Sequence, residues 1–102
     1  MKEKIVNIGV STRKDKKYMA TVKDLRTNKE RKIHFGARNY QQFKDSTKLK
    51  HYSKKNHNDQ ERKRRYYLRH SGVEGKRKAI KKEVHKSKGA YTAKILSHLY
   101  LW

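Results

Sequence analysis

Cysteine and proline are both absent from the 102 residues, and glycine occurs only five times. Without cysteine there is neither a disulfide framework nor a thiolate metal site, so packing and hydrogen bonds alone must hold the fold. No apolar run approaches the ~18 residues of a membrane-spanning helix. The opening MKEKIVNIGV is too short and too polar for a secretory h-region, so the chain is expected in the cytosol, the nucleus or a particle assembled there. Acidic residues are scarce: nine Asp and Glu face 30 Lys and Arg, a formal net charge of +21. Leu, Ile, Val and Phe total 18, below the ~20% at which a highly charged chain is suspected of disorder. Seven Tyr, two Phe and one Trp argue against disorder throughout. So little apolar material leaves none to line a deep pocket, and a free-standing enzyme is not expected.

What the chain has in excess is positive charge, unevenly placed. Residues 1–43 hold 12 basic and 4 acidic groups, residues 44–89 hold 17 and 5, and residues 90–102 hold only Lys94. A charge of this density repels itself and calls for an acidic partner, either nucleic-acid phosphate or an acidic protein surface. The segments predict a single small α+β domain over 1–102: β-rich in 1–43, basic and partly helical in 44–89, and apolar in 90–102.

The β-rich segment reads as a small antiparallel meander over about 4–36. Ile5, Val6, Ile8 and Val10 form a β-branched run, Tyr18, Ala20 and Val22 share one face, and Arg31, Ile33 and Phe35 resume the alternation. Arg26-Thr27-Asn28-Lys29 is a connection of hairpin length. Tyr40 and Phe43 have the spacing of a helical turn folded back over the sheet, whereas residues 44–56 have no period and read as a loop or extended arm. Asn58 followed by Glu61 has capping-box spacing and predicts a helix over about Asp59–His70, stopped by Ser71-Gly72. Ala79, Ile80 and Val84 suggest a second helix between Gly75 and Lys88. The tail places Tyr91, Ile95, Leu99 and Trp102 on one stripe of a short helix, or ends in an extended Tyr100-Leu101-Trp102.

The densest feature is Arg62-Lys63-Arg64-Arg65 with Arg69. On a helix Arg62, Arg65 and Arg69 share a side, where guanidinium forks suit phosphate oxygens or the carboxylates of a protein neighbour. A solvated charged face is the plain alternative, and the same run has the composition of a nuclear-localisation signal. Lys54 and Lys55 in the loop, and Arg77, Lys78, Lys81 and Lys82 on the second helix, extend the basic surface. In the tail, Tyr91 and Ile95 are expected to complete the core, with Leu99, Leu101 and Trp102 expected to anchor in a partner. Six scattered histidines show no metal-ligand spacing, and no cofactor is expected. Forcing a nuclease from His57, Asn58 and Asp59 lacks a recognisable second metal-binding histidine. No Gly-rich phosphate loop or nucleophile elbow is present, so no catalytic residue is assigned.

Ile33-His34-Phe35-Gly36-Ala37, Tyr40, Phe43, Asp59 with Arg62-Lys63-Arg64-Arg65-Tyr66 and Arg69-His70, and the closing Leu99, Leu101 and Trp102 together carry a resemblance. From Lys17-Tyr18 onward the pattern resembles a family of short basic proteins of the large nucleocytoplasmic DNA viruses. Gln42 stands where that pattern usually has an acidic residue, the middle is longer, and the tail has fewer Trp. The family brings no established activity. It implies a setting, a virus with an icosahedral capsid that replicates partly in cytoplasmic factories. The expectation is a minor capsid or cement component on the inner capsid face, bridging the major capsid protein and other minor capsid proteins. Host cytoplasm at assembly sites, or the nucleus, is its expected place before packaging. A sequence-blind nucleic-acid-binding protein, packaging a viral genome or resembling a ribosomal protein, is the alternative.

Overall fold

The computed structural model describes residues 1–102. Strands β1 (Glu3–Val10), β2 (Lys16–Asp24) and β3 (Glu30–Ala37) form one antiparallel sheet in the order β1-β2-β3. Alternation sets Tyr18, Ala20 and Val22 of the central strand on one face, all fully buried. Their cross-strand partners are Val10, Ile8 and Ile5 on β1, and Phe35, Ile33 and Arg31 on β3. The pairing slips between Ile5 and Asn7; this bulge leaves Val6 exposed and keeps Ile5 and Ile8 packed on the core. In the β2–β3 turn Asn28 takes φ 62, and Asp24 Oδ1 accepts the N–H groups of Arg26 and Thr27, an Asx turn.

Three helices follow: α1 (Gln60–Ser71), α2 (Lys76–Lys86) and α3 (Ala93–Tyr100). The cap of α1 is Asp59, not Asn58. Asp59 Oδ1 accepts the N–H groups of Glu61 and Arg62 at 3.0 and 3.1 Å, whereas Asn58 sits at φ 53, outside the extended conformation an N-cap needs. Gly72, at φ 71, ends the helix and returns its N–H to Leu68 O. On α2, Ala79 and Glu83 point inward, and α3 is capped by Thr92 Oγ1. No helix is long and apolar enough to cross a membrane.

Helix α3 divides two apolar clusters. Leu96 and Leu101 join Tyr18, Ala20, Val22 and Phe35 under the sheet, while Tyr66 and Tyr67 from α1 pack with Ala79 from α2. Trp102 packs against both clusters.

The C-terminal anchor expected of Leu99, Leu101 and Trp102 is corrected at Leu101. Leu101 is 1% exposed, because the chain leaves α3 turned back under the sheet. Its carbonyl accepts Lys44 N–H at 3.1 Å. Trp102 is half-buried and stacked on Tyr66, with ring centroids 4.1 Å apart and planes 4° apart. Leu99 is half-buried, and its carbonyl accepts from Lys76 Nζ. Ile95 is buried and Tyr91 packs on the core, in line with the roles expected of them.

The helical turn expected at Tyr40–Phe43 does not form: Tyr40 is 73% exposed, and Phe43 lies under the Lys63 ammonium. Nor is 44–56 an extended arm. Buried Asp45 accepts from Tyr18 Oη, Thr47 N, Thr47 Oγ1 and Tyr52 N, which pins the loop to the central strand. Burial pushes the Asp45 carboxyl up, but these donors outweigh it and hold it below its ordinary range.

Candidate nucleic-acid interface

The cations of α1 divide by function. Arg64 is neutralised, paired with Glu61 at 2.6 Å and Glu74 at 3.2 Å. Lys63 sits 4.4 Å from the centre of the Phe43 ring, and Arg62 donates to Gln41 Oε1. Arg65 and Arg69 are exposed and belong to no ion pair. Of the expected ridge of Arg62, Arg65 and Arg69, the last two are exposed and unpaired, Arg62 is half-buried against Gln41, and Arg64 is taken up by its two glutamates.

Helix α2 is the more strongly polarised element. Ala79 and Glu83 are buried and Ile80 and Val84 half-buried, which turns Arg77, Lys78, Lys81, Lys82 and His85 outward, all exposed. No carboxylate pairs with any of them. The only inward acid, Glu83, faces Lys94 at 3.8 Å.

The two helical surfaces meet at the C-terminus of α1. Lys82 Nζ donates to Ser71 O at 2.7 Å, and Lys94 Nζ donates to His70 O at 3.0 Å. Cations are favoured there by the helix dipole, and Arg69 and His70 stand beside them. His70 is held below its ordinary pKa by burial and by the neighbouring Arg69 and Lys94 charges. Lys54 and Lys55 belong to the loop between β3 and α1. They lie in a short 3-10 turn at Ser53–Lys55 whose Lys55 carbonyl accepts Gln42 N–H.

Two buried polar groups lie outside what sequence reasoning identified. Lys17 is 1% exposed, with its ammonium donating to Tyr40 O and Gln42 Oε1, each at 2.6 Å. Burial, then the Lys55 charge, lower its pKa to about 8. Between the helices, His98 Nε2 lies 2.8 Å from Ser71 Oγ, and Ser71 Oγ donates to Glu83 Oε2 at 3.0 Å. With the serine proton committed to Glu83, His98 carries its hydrogen on Nε2 and accepts from Tyr66 Oη at Nδ1, 2.9 Å away. The composition is Ser, His and Glu, but the carboxylate binds the serine, and all three side chains are buried. No group of three or more His, Cys, Asp or Glu stands close enough to hold a metal ion. Asp45-Ser46-Thr47 had a readable Asx-turn signature. The Ser71–Glu83–His98 contact joins three helices and had no local signal.

A family model described as a family of unknown function (DUF5754) matches residues 6–54, which run from the β1 bulge through the sheet to the 3-10 turn and stop short of the helices. No curated protein and no solved structure matches the chain.

Proposed function

We propose that the protein acts by binding rather than by chemistry, laying its α1–α2 surface along the phosphate backbone of nucleic acid. The outward stripe of α2 carries this reading. Arg77, Lys78, Lys81 and Lys82 are exposed and free of carboxylates, and Arg77 and Lys78 stand with Lys76 at the positive end of the helix dipole. Each such neighbour costs a lone helix a few tenths of a kcal/mol, and an external polyanion reverses the sign. Contacts from these side chains to phosphate oxygens carry no sequence information, so binding is sequence-blind. Burial of Ser71, Glu83 and His98 supports a role without catalysis.

The viral resemblance supplies the setting: a structural protein on the inner capsid face, assembled in the host cytoplasm, between the major and minor capsid proteins and the genome. One observation favours a second, protein-facing contact of this kind. Val6, Val10 and Leu25 are 41%, 48% and 55% exposed, on or beside the free edge strand β1. The test is titration with two duplexes of unrelated sequence in dilute salt. Affinities equal to within the ~1 kcal/mol of one mismatched base pair are expected. Strong preference for one duplex, or binding to neither, overturns the reading.

A further inference from the structure

A cleft of about 570 Å³ opens between the end of β3 and the helices α1 and α3, a size within the ~300–1,000 Å³ of small-ligand sites. No Asp or Glu lines it, while Lys16, Arg69, His70 and Lys94 do. Trp102, stacked on Tyr66, forms an aromatic wall. At the cleft, the Tyr40 side chain is mostly exposed, although its backbone is fixed: its N–H donates to Ala37 O and its carbonyl accepts from Lys17 Nζ. An anchored backbone thus holds an unpartnered aromatic ring beside several cations. Stacking platforms interleaved with cations are what single-stranded nucleic acid requires, because every base has a π-face and every linkage a charge.

We propose that this cleft takes one nucleotide of a single strand, with the base against Tyr40 and the phosphate between Arg69 and Lys94. Adjoining phosphates continue over the end of α1 toward Lys82, whose ammonium meets Ser71 O. This rests on the nucleic-acid reading of the helical surface but adds a requirement for an unpaired base, which phosphate contact alone does not make.

Trp102 is the only tryptophan and lines the cleft, so its emission reports occupancy. The full chain is titrated in dilute salt with fluorescently labelled hexadeoxyadenylate, following both label anisotropy and Trp102 emission. A saturable change in Trp102 emission is expected. Tyr40→Ala should weaken it about tenfold through lost stacking, and Arg69→Gln about tenfold through a lost charge-assisted bond. Both side chains are exposed, so the thermal midpoint should not move. Strand binding without an emission change, or an equal change with hexaglutamate or inorganic phosphate, overturns the cleft assignment. Retained duplex binding in those cases leaves the helical surface standing; its loss as well removes both.

Discussion

His98 has its two ring nitrogens committed in opposite senses, accepting from Tyr66 at Nδ1 and donating to Ser71 at Nε2. Protonation would set a second N–H against the Tyr66 hydroxyl in a fully buried site. Burial accordingly lowers its pKa to about 4, with the Glu83 carboxylate opposing and His70, Lys94 and Lys76 assisting. In the unfolded chain His98 titrates near its ordinary 6.5. Between those values the unfolded state holds the extra proton, so this contribution to stability is complete above pH 6.5 and declines as pH falls toward 4. His57 and His70 shift in the same direction, so the His98 share must be isolated. Chemical denaturation of wild type and His98→Gln at pH 7.5 and 4.5 does this. Wild type should lose clearly more stability on acidification than the variant, and equal losses would contradict a His98 held neutral in the fold.

Among the elements, α2 joins stability and binding with opposite signs. Arg77, Lys78 and Lys81 are exposed and make no side-chain hydrogen bond or ion pair. Replacing all three by Gln relieves like-charge neighbours and the helix-dipole clash, and should raise stability by ~1 kcal/mol. Duplex binding should fall in the same variant, equally for all sequences. Thermal unfolding beside a binding titration checks both signs. The stripe was legible because runs of Lys and Arg survive any folding of the chain, and the alternation of β2 and β3 was legible because Tyr18, Ala20, Val22 and Phe35 alternate without interruption. The β1 bulge at Val6 was hidden inside a continuous β-branched run, where period and core face cannot be told apart. Neutralisation of Arg64 was half visible, since Glu61 is an i,i+3 neighbour while Glu74 arrives only once the chain turns at Gly72. Leu101 was expected in a partner because the last residues of a chain seldom bury without one. Its burial follows from the reversal of the chain after α3.

Across the whole molecule, the two apolar clusters are small and the tail secures them. Leu101 seats beside Gly36, which has φ 80 and where an added Cβ would lie 2.7 Å from Leu101 Cδ1. Leu101→Ala should therefore cost ~2–4 kcal/mol by leaving a cavity under the sheet, read as a lower denaturant midpoint. A loss below 1 kcal/mol would return Leu101 to the surface. With this core fixed, most of the net charge of +21 remains outside it and defines how the protein meets its surroundings. The salt dependence of duplex binding measures that most directly. Wild type engaging ~6 phosphates should give a log–log slope of about −5. Replacing Arg77, Lys78 and Lys81 by Gln should make the slope shallower by about 3. A wild-type slope near zero, or a slope unchanged by the substitutions, would contradict the α1–α2 surface as the phosphate contact.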